Sequence, residues 1–376
     1  MIPYSRQLID DDDIRAVVET LKGDFLTGGK KVEEFENALS EYLGMDYVCV
    51  VNSGTSALHV AYKTLGLKKN DEIITTPITF AATSNAAIMC EVKPVFCDVK
   101  INGSIDENQI EKLISSKTKA IVPVDFGGNP VNIDKIKEIC ERHNLKLIQD
   151  SCHALGSELD GQKVGSQADI AIFSFHAIKP ITTCGEGGAI ATNNKELYEK
   201  AKLLRSHGIV KKQAWNCDML ELGYNYRLSD VACALGVSQL KKLDFFIEKR
   251  ANIAKYYNEK FKNNPYFFPI RIPLHVKSAY HLYPVLLDRS LWCVKEDIFK
   301  ELQEKGVGVQ VHYKPTYQFS YYKKLFGEMK LHNAEEFYKA ELSIPCHHKM
   351  SLEDAEFVAD TLLEILSKSS KREHHS

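Results

Sequence analysis

Lys179 has the residue type and the setting that best suit covalent chemistry in this chain. It lies in FHAIKPITT, after the apolar run 169–175, and the glycine-rich segment 185–188 follows it closely. Glycines permit the tight backbone geometry that a ligand beside the chain requires. An amine held next to such a ligand can act as a nucleophile. The alternative is that Lys179 is an ordinary solvated lysine.

Two further segments carry groups that complement an amine. Asp150 ends the β-rich run 145–150, and ligands bind beyond the carboxyl ends of strands in open α/β sheets. Residues 52–58, NSGTSAL, stand between a strand pattern and a helix pattern, where backbone N–H groups and the helix dipole favour a phosphate. Both have structural alternatives, because an aspartate there suits an N-cap or a turn and a serine suits an N-cap.

An amine, a carboxylate and a phosphate cradle are together what pyridoxal 5'-phosphate requires. The lysine forms a Schiff base, the carboxylate pairs with the protonated pyridine nitrogen, and the cradle holds the phosphate. The protonated ring then serves as an electron sink. The sequence therefore predicts a pyridoxal phosphate site in which Lys179 and Asp150 are catalytic.

The elements that must position these residues show an α/β pattern. Short β-rich runs alternate with helical stretches, and the runs lie at 47–51, 72–76, 93–99, 119–126, 145–150, 169–175 and 187–193. Strands separated by helices predict a mostly parallel sheet with helices on both faces. Amphipathic helices are predicted at about 13–21, before Gly44, at about 195–207 and over 229–262 with a break near Leu243.

The length of the chain predicts two domains. At 376 residues it exceeds what one hydrophobic core usually serves. We expect a large domain over 1–250 and a smaller C-terminal α+β domain over 251–376, with a soft boundary because no low-complexity linker separates them. The smaller part should hold strands at 281–287 and 308–313 and helices near 294–305 and 351–367, before a polar, frayed tail.

The composition excludes several classes of function. A net charge of −2 gives no electrostatic footprint for nucleic acid or an anionic membrane. Because no run of about 18 apolar residues and no signal-peptide pattern occurs, we expect a cytoplasmic protein. The ten cysteines include no C-x-x-C pair, which predicts reduced, mostly buried thiols. No metal is expected, because the adjacent pairs at 152–153 and 347–348 lack the spacing of metal ligands.

From Tyr4 to about Leu366 the sequence resembles the sugar aminotransferases of the DegT/DnrJ/EryC1/StrS group, which have the type I aminotransferase fold. The motifs that carry the resemblance are NSGTSAL at 52–58, TTPITFAAT at 75–83, DSCHALG at 150–156, FSFHAIKPITT at 173–183, GEGGAIATN at 185–193 and LGYNYRLSD at 222–230. The resemblance implies that Lys179 is the Schiff-base lysine and Asp150 the partner of the ring nitrogen. Cys184 lengthens the stretch before the GEGG turn relative to close relatives, so the loop beside the cofactor is expected to be placed differently.

The resemblance also implies the other contacts of the cofactor. Phe80 would stack on the ring, and His153 would flank it near its ring oxygen, with a core histidine as the alternative for His153. The phosphate ligands would be Gly54, Thr55, Ser174 and, from the neighbouring subunit, Asn225. The active site would then be shared across a homodimer, and a two-fold homodimer is also the commonest oligomer.

The substrates are implied by the same resemblance. L-glutamate would donate the amino group, and the C4 ketone of a UDP-linked 2-acetamido-2,6-dideoxy sugar would receive it. The residues that would face the sugar are His312, Tyr313, Lys314 and Tyr317, with a solvated loop as the alternative. Arg227 would be either a ligand of the donor carboxylate or an interface arginine.

Other activities remain open at this point. One is an aminotransferase that acts on a different nucleotide-linked ketosugar. A sugar dehydratase is less compatible, because a histidine replaces the lysine in related dehydratases. A non-catalytic regulatory protein that binds pyridoxal phosphate is the alternative outside enzymes, since a fold alone does not establish a function.

Overall fold

The computed structural model describes residues 1–373, with side-chain surroundings up to residue 370. The helices are α1 Asp11–Leu21, α2 Lys30–Leu43, α3 Gly54–Thr64, α4 Ala82–Met89, α5 Ile133–His143, α6 Lys195–Arg205, α7 Asp230–Leu240, α8 Leu243–Lys260, α9 Lys295–Glu304, α10 Ser320–Phe326, α11 His332–Ala340 and α12 Leu352–Glu373. The strands are β1 Tyr47–Val51, β2 Glu72–Thr75, β3 Lys93–Phe96, β4 Thr118–Val122, β5 Lys146–Asp150, β6 Glu158–Leu159, β7 Gln162–Lys163, β8 Ile170–Ser174, β9 Gly188–Thr192, β10 Ile209–Gln213, β11 Asn216–Met219, β12 Phe267–Pro269, β13 Val276–Lys277, β14 Tyr283–Leu287 and β15 Glu341–Ile344.

The central sheet has seven strands in the order β1-β9-β8-β5-β4-β2-β3. The neighbours from β8 through to β3 run parallel, and β9 is antiparallel to both β1 and β8. The strands are buried on both faces, which is what helices packed on each side of a parallel sheet produce. The predicted α/β fold with a mostly parallel sheet is confirmed.

Local sequence signals explain where the helices begin and end. The Asp10 side chain accepts from the backbone N–H of Asp13 while the Asp13 side chain accepts from that of Asp10, a reciprocal capping box at the start of α1. Gly44 ends α2 with a φ of 64°, a conformation that costs glycine little. Phe35 of α2 packs on α7 where a Cβ on Gly236 would come within 2.6 Å of its ring. The glycine therefore permits this close helix packing.

A smaller antiparallel sheet, in the order β12-β14-β15, forms the C-terminal part. It is covered by α8, α9 and α12, whose apolar side chains form one cluster with those of the strands. The chain start joins this part, because Ile2 and Val307 form a parallel bridge. Within α8 the hydrophobic cluster changes between Ile247 and Ile253. The division near residue 250 stays a prediction.

The predicted strand at 308–313 is wrong, because only isolated bridges form in this region. Its backbone donors are spread over different partners: Gly308 N–H donates to Ile2 O at 2.8 Å, and His312 N–H donates to the Glu341 carboxylate at 2.6 Å. No single neighbouring strand therefore pairs with it. The hairpin β10–β11 and the helices α10 and α11 were not predicted.

The last helix extends further than its sequence pattern predicts. α12 continues to Glu373, whereas the expected end was near residue 367. The rest of the predicted frayed tail, residues 374–376, lies outside the described residues. Across residues 1–373 no helix is both long and apolar enough to cross a membrane. Six cysteines are buried, namely Cys49, Cys90, Cys97, Cys140, Cys233 and Cys346.

Candidate active site

Asp150 lies at the carboxyl end of β5, in the middle of the central sheet, and is 3% exposed. Its Oδ2 accepts a hydrogen bond from Thr83 Oγ1 at 2.8 Å, and its Oδ1 accepts from the Cys152 backbone N–H at 3.2 Å. Two donors from different elements thus fix the plane of the carboxylate. A carboxylate held in this way can pair with a cationic ring nitrogen in a ligand.

A second buried carboxylate, Asp125, anchors the chain on both sides of Asp150. It accepts from Ser151 Oγ at 2.6 Å, from Gln149 Nε2 at 2.9 Å and from the Val131 backbone N–H at 3.0 Å. Burial raises the pKa of Asp125 to about 6, against the lowering effect of these donors. Sequence reasoning missed Asp125, which follows the end of β4 at the same sheet edge, whereas Asp150 is the last residue of β5.

Lys179 lies on the loop between β8 and β9, whose backbone is held at several points. Phe175 N–H donates to Gly187 O at 2.8 Å, Lys179 N–H donates to His176 O at 2.8 Å, and Ser5 Oγ donates to Ile178 O at 3.0 Å. The Lys179 side chain is partly exposed by area, yet its amine has no hydrogen bond to any of residues 1–373. The loop therefore presents an unpaired amine at the same sheet edge as Asp150.

Burial lowers the pKa of the Lys179 amine to about 8, and the nearby Cys152 and Asp150 offset part of this effect. Desolvation disfavours the charged form of an amine, so a larger share is neutral near pH 7 than for a solvated lysine. The neutral amine is the nucleophile. This environment suits attack on a carbonyl carbon.

The N-terminus of α3 forms a concave group of donors beside these residues. Ser53 caps the helix by accepting from the Ser56 backbone N–H at 3.0 Å, while the N–H groups of Gly54 and Thr55 have no acceptor among the described residues. A Cβ on Gly54 would stand 3.1 Å from Ser174 Cβ and 3.3 Å from Cys152 Sγ. Glycine thus lets the helix end approach β8, and the open N–H groups can bind a phosphate.

The glycines after Lys179 shape the same cradle. A Cβ on Gly188 would stand 2.5 Å from Ser53 O, so β9 could not lie against this loop with a larger residue there. Cys184, which precedes the glycine turn, is exposed and has a φ of 62°. Partial desolvation of its thiol raises the pKa of Cys184. The expected effect of Cys184 on the loop stays a prediction.

His153 and Tyr313 form a hydrogen-bonded pair beside Phe80. His153 Nε2 lies 3.2 Å from Tyr313 Oη, and His153 Nδ1 accepts from the Gly127 backbone N–H at 3.3 Å. The network thus assigns the imidazole proton to Nε2 and leaves the Tyr313 hydroxyl proton free to donate elsewhere. Burial and the Lys179 charge hold the pKa of His153 well below its usual range. The Phe80 ring is 62% exposed and 6.3 Å from the Tyr313 ring.

His281 is a further imidazole at this site that sequence reasoning missed. Its ring centroid is 4.4 Å from that of His153, and both of its nitrogens are buried without a hydrogen bond among the described residues. Burial, followed by the Lys179 charge, holds the pKa of His281 well below its usual range. Because His281 begins the apolar run 281–287, two residues before β14, the sequence pattern did not distinguish it from a core histidine.

The segment predicted to face a substrate divides into two parts. Thr316 N–H donates to Pro77 O at 3.0 Å, which ties the segment to the loop after β2. His312 is buried, Tyr313 is partly exposed and Lys314 is exposed, with its ammonium 5.7 Å from the Phe319 ring. Tyr313 contacts His153 and Phe80, and His312 adjoins them through the Tyr313 ring, whose centroid lies 4.8 Å from that of His312.

Tyr317 lies in a separate apolar cluster with Phe96 and Tyr322 and is 3% exposed. Its hydroxyl accepts from the Leu331 backbone N–H at 3.2 Å. Among the four residues predicted to face the sugar, Tyr317 thus has surroundings typical of a core residue.

The segment with Asn225 and Arg227 runs along the entrance to α3 in the same chain. Asn52 N–H donates to Tyr226 O at 2.9 Å, and Asn52 Nδ2 donates to Asn225 O at 3.4 Å. The side chains of Asn225 and Arg227 are exposed. Residues 1–373 hold no group of three or more His, Cys, Asp or Glu arranged for a metal ion.

Known proteins are similar to this chain in sequence and in fold over almost their full length. The model of the DegT/DnrJ/EryC1/StrS aminotransferase family matches residues 7–363. A Campylobacter jejuni protein named UDP-4-amino-4,6-dideoxy-N-acetyl-beta-L-altrosamine transaminase is 58% identical over 99% of both chains. A Helicobacter pylori protein of the same name is 46% identical over 96% of both chains.

Solved structures give the same result. The structure described as Helicobacter pylori PseC, an aminotransferase involved in the biosynthesis of pseudoaminic acid, superposes with a TM-score of 0.96 at 45% identity, covering 98% of this chain and 99% of that one. The PLP form of the Streptococcus pneumoniae protein Spr1654, described as a putative sugar aminotransferase, superposes with a TM-score of 0.94 at 29% identity and covers 98% of this chain and 99% of that one.

Proposed function

Because this chain belongs to the DegT/DnrJ/EryC1/StrS aminotransferase family, we propose that it uses pyridoxal phosphate to aminate a UDP-linked sugar. The acceptor is UDP-2-acetamido-2,6-dideoxy-beta-L-arabino-hexos-4-ulose, and the product is UDP-4-amino-4,6-dideoxy-N-acetyl-beta-L-altrosamine, in pseudaminic acid biosynthesis. L-glutamate is the amino donor. The observation that carries this proposal is the end-to-end similarity to transaminases of that name, at 58% and 46% identity.

The residues at the sheet edge fit pyridoxal phosphate. Lys179 supplies an amine without a hydrogen-bonding partner among the described residues, whose pKa is lowered to about 8 by burial, and is the covalent attachment point. Asp150, held by Thr83 and the Cys152 N–H, pairs with the ring nitrogen. The open N–H groups of α3 and Ser174 receive the phosphate. Phe80 would stack on the ring.

Each side chain then has a defined task. When bound, the cofactor supplies an aldehyde that accepts an amino group and a protonated ring that withdraws electrons. The Lys179 amine would take the proton from the α-carbon of the amino donor and would return a proton to the cofactor. Asp150 keeps the ring nitrogen protonated because a nearby anion favours the cationic form. His153 is neutral and holds the Tyr313 hydroxyl.

The sugar is proposed to bind on the side of His312, Tyr313 and Lys314. Tyr317 is left out of this set because its hydroxyl is engaged with Leu331 in a buried cluster. The exposed Asn225 is proposed to reach the phosphate site of a partner subunit in a homodimer. Arg227 is also exposed and lies on the same segment, which runs along the N-terminal end of α3.

The absorption spectrum of the purified protein with pyridoxal phosphate tests the proposal, recorded before and after L-glutamate is added. We expect the visible band of the lysine-bound cofactor to disappear with formation of 2-oxoglutarate. The UDP-linked ketosugar should then restore the band and yield a 4-amino sugar. A band that does not change when glutamate is added would contradict glutamate as the amino donor. The absence of any band would contradict Lys179 as the residue that binds the cofactor covalently.

A panel of ketosugars tests the acceptor separately. Turnover should be fastest with the UDP-linked 2-acetamido-2,6-dideoxy-4-ketosugar. Equal turnover of dTDP-linked ketosugars, or preference for another sugar, would mean that this chain is an aminotransferase of different specificity.

A further inference from the structure

A chain of buried hydrogen bonds leads from β15 to His312. Glu341 and Ser343 lie two residues apart on β15, on the same face of the strand, and both are 0% exposed. Ser343 Oγ is 2.5 Å from Glu341 Oε1 and 2.9 Å from His312 Nδ1, while the His312 backbone N–H donates to Glu341 Oε2 at 2.6 Å. Three bonds thus fix both the backbone and the ring of His312.

This arrangement leaves one nitrogen of His312 for a substrate. Nδ1 is engaged by Ser343, whereas Nε2 has no hydrogen bond to any of the described residues. The ring lies 4.8 Å from that of Tyr313, which borders the site. Burial, followed by the Lys179 charge, lowers the pKa of His312 to about 3. The ring therefore remains neutral at working pH and carries a single proton.

The position of that proton depends on Glu341. If Glu341 is ionised, Ser343 must donate to it, His312 Nδ1–H then donates to Ser343, and Nε2 is an acceptor. If Glu341 is protonated, it donates to Ser343, Ser343 donates to His312 Nδ1, and Nε2–H becomes a donor, while the bond from the His312 backbone N–H to Glu341 is unchanged. The charged group that faces Glu341 is Lys295 of α9, whose ammonium donates to Tyr338 O at 2.6 Å; the other titratable neighbours are His312 and Tyr313.

Burial makes the protonated state of Glu341 accessible near neutral pH. It raises the pKa of Glu341 to about 8, with Lys295 and the two hydrogen-bond donors offsetting part of the effect. Burial also lowers the pKa of Lys295. We call the hydrogen bonds that run from Glu341 through Ser343 to His312 the relay. At pH values below the pKa of Glu341 the relay places the imidazole proton on His312 Nε2, and at higher pH the proton lies on Nδ1.

We propose that Glu341 and Ser343 are positioning residues that set the tautomer of His312, so that Nε2–H donates to a carbonyl oxygen of the acceptor sugar. A carbonyl oxygen can only accept, so the sugar binds best while Glu341 is protonated. This inference rests on the proposed function, because it takes the sugar to bind beside His312. Neither Glu341 nor Ser343 touches the reacting atoms.

Steady-state kinetics of Glu341→Gln test the direction of the relay. A glutamine accepts from the His312 N–H through its carbonyl and donates to Ser343 through its amide, which reproduces the protonated arrangement at every pH. The KM of the wild-type enzyme for the ketosugar should rise several-fold as the pH increases through the pKa of Glu341, because Glu341 then loses its proton. In Glu341→Gln the KM should stay at the low-pH value across the range. A variant that keeps the wild-type pH dependence overturns the proposal.

Ser343→Ala breaks the relay and supplies a second test. At pH values below the titration of Glu341 it should raise KM for the ketosugar about tenfold, since one hydrogen bond that fixes the donor is lost. Ser343→Thr, which keeps the hydroxyl, should restore most of the loss. The half-reaction with glutamate should be unchanged in both variants. An unchanged KM in Ser343→Ala, or equal losses in both half-reactions, contradicts a role in orienting His312.

The control is Glu107→Gln, which alters another buried carboxylate whose partner is Lys100 at 2.7 Å, away from β15. It should leave the pH dependence of KM intact. If the wild-type enzyme does not use the UDP-linked sugar, the proposed function fails, and NMR of ¹⁵N-histidine-labelled protein still tests the relay. The His312 signals, assigned by their absence in His312→Gln, should change tautomer with pH in wild type and stay constant in Glu341→Gln. Signals that behave alike in both proteins contradict the relay.

Discussion

At the scale of single residues, the proposed chemistry depends on a lysine that is desolvated without a direct ion pair. Lys179 forms no salt bridge within residues 1–373, and burial lowers its pKa from 10.5 to about 8. Between about pH 8 and pH 10.5 the folded state has therefore released a proton that the unfolded chain still holds. Burial of this charged amine lowers the free energy of unfolding of the cofactor-free protein.

Lys179→Met should stabilise the cofactor-free protein while abolishing transamination. Below about pH 8 the buried ammonium is fully charged, and its pKa shift corresponds to a penalty of up to about 3 kcal/mol. As pH rises from 8 toward 10.5 the folded state binds fewer protons than the unfolded state, so wild-type stability should increase. The variant should lack this contribution. Urea unfolding at a series of pH values measures both, and a destabilised variant would contradict the assigned burial cost.

Thr83→Val should weaken cofactor binding by removing one donor from Asp150. The loss of a charge-assisted hydrogen bond frees the carboxylate to rotate away from the ring nitrogen, so we expect the Kd for pyridoxal phosphate to rise roughly tenfold. Equilibrium dialysis of the cofactor measures it. Thr118→Val is the matched control, since Thr118 is also buried but accepts from Ser115 N–H at the far end of its strand. Equal effects of the two variants would exclude a specific role for Thr83.

Residue patterns predicted the groups at strand ends but not their partners. Asp150 ends β5 and Lys179 lies on the loop after the neighbouring parallel strand β8, so the sheet brings them to one edge. Thr83 contacts Asp150 from 67 residues away, and Glu341 contacts His312 from 29 residues away. Such pairs depend on how loops fold over the sheet, which no local periodicity encodes.

At the scale of elements, the entrance to α3 depends on a glycine that has no side chain to fill the cradle. Gly54→Ala would place a Cβ 3.1 Å from Ser174 Cβ, so the helix end must move away from β8. We expect the affinity for pyridoxal phosphate to fall by at least tenfold with little loss of secondary structure. Titration of the cofactor and circular dichroism measure the two effects.

Gly44→Ala is the control for this glycine. Gly44 has a φ of 64° and open space around its Cα, so alanine there should lower the unfolding free energy by about 1 kcal/mol and leave cofactor affinity unchanged. If both variants lose stability but neither loses affinity, the N-terminus of α3 is not the phosphate site.

Elements with regular hydrophobic patterns were predicted well, and elements stabilised by distant contacts were not. The seven central strands were predicted within a few residues because each contains a short run of apolar or β-branched residues. The hairpin β10–β11 is largely exposed and polar, so it has no such signal. The segment 308–313 has the composition of a strand but donates one backbone hydrogen bond to the Glu341 side chain.

At the scale of the whole molecule, α8 joins the two hydrophobic clusters that flank the predicted boundary. Phe246 and Ile247 belong to the cluster under the central sheet, and Ile253 and Tyr257 to the cluster of the smaller sheet. A helix that packs into both clusters has no composition shift at the boundary. This explains why the sequence predicted two parts but only a soft division between them.

Arg250, between these halves of α8, should be the residue whose loss most damages the connection. It is 0% exposed, and its Nη1 donates to the carbonyls of Tyr280, His281 and Cys346, which belong to two other segments. Burial lowers the pKa of Arg250 to about 10, so the guanidinium remains charged at neutral pH. Arg250→Met leaves three carbonyls without their donor, and we expect it to lower the unfolding free energy by about 3 kcal/mol.

Arg250→Met also tests whether the hydrogen bonds from α8 position the histidines at the proposed active site. Because Arg250 holds the backbone at His281, whose ring centroid lies 4.4 Å from that of His153, Arg250→Met should also raise KM for the ketosugar. Lys249→Met, the adjacent position on α8, should change neither quantity appreciably, because its ammonium lies over the exposed Phe245 ring at 5.4 Å. Urea unfolding and steady-state kinetics measure the two effects. Loss of stability with unchanged KM would mean that α8 joins the clusters without positioning the histidines at the site.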